Sequence, residues 1–344
     1  MSTRIQTRSP YYIRPANVTG LTSTQLKLYI FSGVIGDKPA SPQYTLTKKP
    51  INSETSVTFE ISELIQDYFS HAFTGSYSGA GSTLWVIADF QYTTASAVTT
   101  SSSTFLAFDS FSEFKDGANH LLNLDDLVTA SYMQYNKGTT IVLPINAESA
   151  TNVTFKLNGS NVQTTAITDN GNTNQKIQYI TYSGTADRID IAGTVGDTII
   201  TLEEVEECKY TPIKITFINK NGALQDLWFF KKSLENMNVT KSEFNRNLLD
   251  RVNVSYTTTE ASKRTYDINA NESISINSGF VDEAMNPTFE ELLVSNLVWM
   301  TKDSTVFPMK VADSSLSFKT SLNDKLINYA INFEYAFDLI NNVH

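Results

Sequence analysis

The sequence predicts a mainly β protein: two antiparallel β-sandwich domains (1–118 and 119–207), then a C-terminal α+β domain (208–344). Three observations carry this. Near the C-terminus, Ile327, Tyr329, Ile331, Phe333, Tyr335 and Phe337 occupy one parity, while Asn328, Ala330, Asn332, Glu334, Ala336 and Asp338 occupy the other. Side chains alternate faces along a strand, so this spacing gives one large apolar face and one small or polar face. The chain is also rich in Ser and Thr, with 20 Phe and 16 Tyr, residues that suit pleated, half-buried surfaces. Finally, short strand-like runs recur between Gly and Asn turn signals. A chain of 344 residues, 41% hydrophobic, is long enough for two or three packed domains.

In the first domain, Leu26, Leu28 and Ile30 set a two-residue period, and Val57, Phe59 and Ile61 continue it. The period then changes. Ile61, Leu64, Ile65, Tyr68 and Phe69 predict a two-turn amphipathic helix, with Ser62 as its cap. Gly75 to Gly81 reads as a loop and Ser82 to Tyr92 as a strand. Thr93 to Thr104, nearly all Thr, Ser and Ala, reads as a long exposed hairpin tip, with Phe105 to Phe111 returning.

Residues 119–207 hold shorter candidates at Ile141–Leu143, Val153–Leu157, Ile177–Ile180 and Thr198–Leu202. Asn158-Gly159 supplies the positive φ angles of a tight hairpin turn. Several short strands at this spacing predict an immunoglobulin-like sandwich. In the last domain, Ile213–Phe217 and Leu224–Phe230 read as a hairpin. Thr240-Lys241-Ser242-Glu243 fits a capping box for a helix over Phe244–Val252. A clearer helix opens at Asn286-Pro287, with Phe289, Leu292, Leu293 and Leu297 as its stripe. Strands near Val298, Leu316–Phe318 and Leu326–Phe337 complete the domain.

The net charge is −10. Residues 1–207 carry 12 basic and 20 acidic residues (−8), and the remainder 14 and 16 (−2). An acidic surface repels phosphate backbones, so sequence-specific nucleic-acid binding is not expected. No apolar run approaches the ~20 residues needed to span a bilayer, so no membrane insertion is expected. The N-terminal residues lead into no apolar stretch, which predicts no secretory signal. Cys208 alone makes neither an internal disulfide nor a thiolate metal site, and is expected as a buried small hydrophobe.

Catalytic signals are sparse. His71, His120 and His344 are far apart in sequence, and no G-x-S-x-G, H-E-x-x-H, P-loop or C-x-x-C occurs. Gly79-Ala80-Gly81 precedes a strand rather than the helix that a phosphate cradle needs. Asp169–Asn174 is oxygen-rich enough to contact Ca²⁺ but lacks the bidentate Glu of an EF-hand loop, so a turn is the better reading. Glu203, Glu204, Glu206 and Glu207, like Asp125-Asp126, offer carboxylates of the glycosidase kind. Such runs more often form solvated edges. Trp85, Trp228 and Trp299 fit core positions better than sugar platforms. No catalytic residue, cofactor or metal site is predicted.

Several segments nevertheless resemble a known class. Glu207-Cys208-Lys209-Tyr210-Thr211-Pro212, then Phe217-Ile218-Asn219-Lys220-Asn221-Gly222 and Leu227-Trp228-Phe229-Phe230-Lys231-Lys232, are similar to virion proteins of bacteriophages and prophages. So are Asn277–Glu283, Phe289–Leu293 and Lys319–Ile327. The resemblance covers the C-terminal domain; the first two domains share only a general sandwich character. It implies a non-enzymatic tail or tail-tip component, a baseplate or neck-type ring subunit, located in the virion and assembled in the host cytoplasm. Its partners would be copies of itself and other virion proteins. Phe289, Leu293, Trp299, Ile327, Tyr329, Ile331, Phe333 and Tyr335 are the expected assembly interface. The alternative is a carbohydrate-binding or host-adhesion module using loops 75–81 and 93–104.

Overall fold

The computed structural model describes residues 3–79, 81–122, 124–320 and 327–340. Its β-strands fall into several sheets, mostly antiparallel, around separate apolar clusters.

The first cluster is built by β1 (Thr3–Gln6), β2 (Tyr12–Ile13), β3 (Leu21–Phe31), β4 (Tyr44–Lys48), β5 (Phe59–Glu60), helix α1 (Ser62–Gln66), β6 (Thr83–Thr94) and β7 (Val98–Phe108). The main sheet runs β1-β7-β6-β3-β4, and β2 pairs with β5. Leu26, Leu28 and Ile30 of β3 and Leu84, Val86, Ala88 and Phe90 of β6 point inward, covered by Phe59, Ile61 and Ile65. The period-two reading therefore holds in the core strands. Two local expectations change. Helix α1 has a single short turn, and Ser62 does not cap it; the Ser62 hydroxyl and N–H both turn back to Glu60. The Thr/Ser run is the expected exposed hairpin end, but it is strand almost throughout, so the return strand starts at Val98 rather than Phe105. The β6–β7 ladder continues to the Thr93↔Val98 pair, leaving a tight turn around Ala95 and Ser96. Thr and Ser have no core to fill there, but their backbones pair as well as any, and the β-branched Thr suits the pleat.

The second cluster uses β8 (Tyr132–Asn136), β9 (Ile141–Asn146), β10 (Ala150–Leu157), β11 (Ser160–Ala166), β12 (Ile177–Tyr182), β13 (Arg188–Gly193) and β14 (Thr198–Val205). One sheet runs β11-β10-β13-β14-β8 and a second pairs β12 with β9. Leu143, Ile145 and Ile180 meet Val153, Phe155, Ile189, Ile191 and Ile200 between them. Asn158 and Gly159 turn β10 into β11 with φ of 51° and 79°, as the dipeptide requires.

The third cluster belongs to β15 (Ile213–Ile218), β16 (Leu224–Phe229), β17 (Leu234–Asn245), β18 (Lys263–Asn277), helix α2 (Asn286–Leu293), β19 (Val298–Lys302), β20 (Thr305–Val311) and β21 (Ala330–Tyr335). They form a sheet in the order β16-β15-β19-β20-β21-β18-β17. Helix α2 starts at Asn286-Pro287 as expected, and buries Phe289 and Leu292 against Phe229, Ile274, Met300, Ile331 and Phe333. The C-terminal alternation holds from Ile327 to Phe333: Ile327, Tyr329, Ile331 and Phe333 are buried, and Ala330, Asn332 and Glu334 are exposed. It lapses at the half-buried Tyr335 and the exposed Phe337, where β21 ends. Lys325 and Leu326 lie outside the described residues.

Three expectations fail here. No helix covers 244–252; the capping-box residues Thr240–Glu243 sit inside β17, paired with β18. Leu316–Phe318 is irregular chain, not strand. Cys208 is exposed rather than buried, because it follows the end of β14 in the connection to β15.

Candidate functional site

The strands β17 and β18 continue well past the sheet that anchors them. β21 pairs with β18 only from Ser273 to Asn277. Beyond Ser273 the C-terminal segment still touches β18, with the Leu339 N–H donating to the Ala270 carbonyl and Asn269 bonded to Asp338. Past Asn269 the two strands pair with each other down to Asn245↔Lys263. At about 3.3 Å per residue this outer ribbon, from Asn269 to Lys263, extends roughly 20 Å before the 246–262 turn at its end. A two-stranded ribbon alone in water is marginally stable.

The ribbon is amphipathic. Directly opposed residues share a face, so the pairs Met237↔Glu272, Val239↔Ala270 and Lys241↔Ile268 put Met237, Val239 and Ile268 on one side. The pairs Asn236↔Ser273, Asn238↔Asn271 and Thr240↔Asn269 fill the other with amides and hydroxyls. The apolar side continues the face on which Ile274 is fully buried. Farther out Ala270 is still buried, beside the Leu339 segment, but Met237, Val239 and Ile268 on the same face are 55%, 47% and 46% exposed. A bulge at Ser242/Glu243 then shifts the register, and Phe244 and Tyr266 meet at 6.0 Å with Tyr266 69% exposed. At the end, Val252 is 88% exposed, with Leu249, Val254 and Tyr256 beside it in sequence. β17 is also the edge of its sheet, so its outer N–H and C=O groups lack a strand partner.

The residues expected at the assembly interface lie elsewhere. Phe289, Trp299, Ile327, Tyr329, Ile331 and Phe333 are buried within this chain, and Leu293 and Tyr335 are half-buried. Their apolar face is covered by the chain's own helix and sheet. Exposed apolar residues of the described chain gather instead on the arm formed by β17 and β18, which no local sequence pattern marks.

The sites suggested by composition resolve into structural contacts. His71 Nε2 lies 2.8 Å from Asp109 Oδ2, with both side chains nearly buried and the His71 ring stacked on Phe69. A Cβ on Gly222 would stand 2.9 Å from the Asp109 carbonyl, so this pair is pressed against the β15–β16 turn. His120 is exposed; His344 lies outside the described residues. The 75–81 loop is clamped rather than free. Tyr77 donates to Asp226 at 2.5 Å, Lys214 donates to Tyr77 at 2.8 Å, and Thr216 donates to Asp226 at 2.6 Å. Burial, then the Asp226 charge, pushes the Tyr77 hydroxyl pKa far above its usual range. Tyr77 is thereby held protonated as a donor. A Cβ on Gly79 would fall 2.0 Å from the Ile177 carbonyl, so only glycine permits this approach.

The Ca²⁺-like loop is served by a lysine. The buried Lys176 ammonium reaches the Asp169 carboxylate and the Gly171 carbonyl. The acidic run is likewise engaged: Glu203 accepts from Tyr132 and Gln134, Glu206 pairs with Lys137, and Glu207 with Lys231. Asp125 accepts the N–H groups of Val195 and Gly196, and its carboxylate fills the space beside Gly193. Trp85 and Trp299 are buried and Trp228 is half-buried. Among the described residues no group of three or more His, Cys, Asp or Glu could hold a metal ion, and no helix is long and apolar enough to cross a membrane.

No family model matches the chain, and no curated protein matches it. Among solved structures it is similar to a chimeric titin Z1Z2 functionalized with an exogenous decorin peptide. That match has 10% identity over 61% of this chain and all of that one, at a TM-score of 0.17. So low a score carries no argument about fold or function.

Proposed function

We propose that this chain is a non-enzymatic structural subunit of a bacteriophage virion, a tail or distal-tail ring component of baseplate or neck type. In this reading it pairs two immunoglobulin-like sandwiches with an α+β assembly domain, and joins copies of itself and other virion proteins. The observation that carries it is the arm: an amphipathic ribbon with a free edge and an uncovered apolar face. Exposed apolar surface of that kind marks a protein–protein contact or an aggregation hazard. The resemblance of segments within 207–327 to virion proteins supplies the particle context. The polar clusters support the same reading, because the partly buried Tyr77, Asp226, Lys214 and His71, and the buried Asp109, are engaged in contacts that fasten parts of the chain together. Particles purified from the phage that encodes this chain should contain it at a fixed, small copy number, detectable by quantitative mass spectrometry. Its absence from washed particles would refute the proposal.

One observation favours sugar recognition as a second reading. A polar groove of about 390 Å³ crosses the outer face of β3, β6 and β7, lined by Lys27, Tyr29, Asp89, Gln91, Thr100, Ser101 and Ser102. Its aromatic face is covered, since Lys38 Nζ sits 3.9 Å from the Tyr29 ring centroid. Asp89 is already engaged by Lys38 and Ser102. Glycan-array binding by the full chain, lost on Tyr29→Ala, is the result this reading requires.

A further inference from the structure

The virion-subunit reading leaves the partner of the arm open, and charge narrows it. The whole chain is −10, yet residues 241–264 hold five basic residues (Lys241, Arg246, Arg251, Lys263, Arg264) against three acidic ones, a net of +2. The same chain has a counterpart of opposite sign. Residues 119–207 hold four basic and eleven acidic residues, a net of −7. That unit also shows exposed apolar side chains beside an acid: Val195 and Ile199 flank the exposed Asp197 just before β14.

We infer that the arm docks head-to-tail on the acidic middle unit, residues 119–207, of a second copy of this chain. The ribbon supplies a basic rim around uncovered apolar residues, and the acceptor supplies acids around its own. Opposite charges at a rim steer and register a contact, while the apolar residues hold it. Donor and acceptor are different surfaces, so the contact is heterologous: it closes a ring when the rotation per subunit closes, and otherwise continues as a filament. The arm is thereby covered along the face that water now meets. This inference rests on the virion-subunit reading but names a surface pair that reading does not require.

The test uses the full-length chain, as an equimolar mixture of ¹⁵N-labelled and unlabelled protein. Zero-length carbodiimide cross-linking joins lysines to carboxylates in contact, and mixed-isotope peptides identify links between copies. Links from Lys241 or Lys263 to acids within 119–207, in mixed-isotope form, are the expected result. Sedimentation of the combined variant Arg246→Glu, Arg251→Glu, Lys263→Glu should show self-association weakened at least about tenfold. Mixing it with an Asp197→Lys, Glu206→Lys chain should recover part of that loss. Inter-copy links confined to other surfaces would overturn the inference while leaving the virion reading intact, since that reading is judged by particle content. A chain that stays monomeric to high concentration overturns it as well, and so does an arm that binds anionic vesicles in place of a second copy. The cross-linking is done on the unaltered chain, so a variant that fails to fold does not remove the test.

Discussion

Asp126 carries the clearest pH signature in the chain. It is buried beside Asp125, where the connection into the middle unit bridges to Ile145. Burial first, and the Asp125 charge second, raise its carboxyl pKa from 3.8 to about 6. The fold therefore prefers the protonated form. At pH well below 3.8 both folded and unfolded chains are protonated there, and the site is neutral in its effect. As pH rises towards 6 the unfolded chain releases the proton first, and the fold loses stability; above 6 the loss is complete and constant. A tenfold change in proton affinity is worth about 1.4 kcal/mol, so the full penalty is up to about 3 kcal/mol at neutral pH. Asp126→Asn keeps the shape and removes the charge. Urea titrations at several pH values between 3.5 and 8 should show the variant gaining on the parent as pH rises, with most of the gain between about 4 and 6. The amide carries its own hydrogen-bonding cost, which offsets the whole curve but does not tilt it. Parallel stability curves for the two proteins across this range would falsify the assignment.

Other expectations rest on individual contacts. Tyr77→Phe removes the donor to Asp226 and should cost about 1–3 kcal/mol, read from urea titration; an unchanged midpoint would show that the clamp contributes nothing. Gly79→Ala should be worse, because its methyl carbon meets a backbone carbonyl, and limited proteolysis should then cut the 75–81 loop. Adding Ca²⁺ should leave the thermal midpoint unchanged, since the Lys176 ammonium already satisfies the Asp169–Gly171 oxygens; a rise in midpoint would refute that. Cys208, being exposed, should react with a maleimide in the native state as fast as in the unfolded one.

The core strands were readable because burial writes itself into sequence. Leu26/Leu28/Ile30, Leu84/Val86/Ala88/Phe90 and Ile327/Tyr329/Ile331/Phe333 alternate because one side meets apolar neighbours and the other does not. Asn158-Gly159 and Asn286-Pro287 were readable because their backbone conformations admit few residues. The arm was not. Its apolar alternation spans only Met237 and Val239 before Lys241 takes the same face, and the bulge at Ser242/Glu243 then inverts the parity. Thr240-Lys241-Ser242-Glu243 imitated a capping box, but tertiary pairing with β18 overrode that local preference. Most of the residues expected at an assembly interface are buried within the chain for a related reason. An apolar strand face looks the same in sequence whether its cover comes from a partner or from the chain itself, and here Phe289 and Leu292 of α2 supply it. His71–Asp109 and Tyr77–Asp226 join residues 38 and 149 positions apart, and no local pattern announces such pairs.

The arrangement of these long-range contacts bears on assembly. Trp85, Leu106 and Phe108 from the first unit pack with Leu122, Leu127, Ile177 and Ala223. Phe73 packs with Ile218, Leu224 and Trp299, with Tyr77 and Tyr179 alongside. Apolar clusters that draw on all three units, backed by buried hydrogen bonds and by glycines pressed onto carbonyls, hold those units together. Ordering a mobile acceptor would subtract from the free energy of any association. A middle unit already fixed against its neighbours avoids that loss, so the ordering cost of the proposed contact would fall mainly on the ribbon beyond Asn269. The ribbon is two strands paired over most of their length, which limits that cost. In the docking inferred above, a fixed acidic acceptor and a pre-paired basic arm would leave modest rim charges and a few apolar side chains little ordering cost to offset.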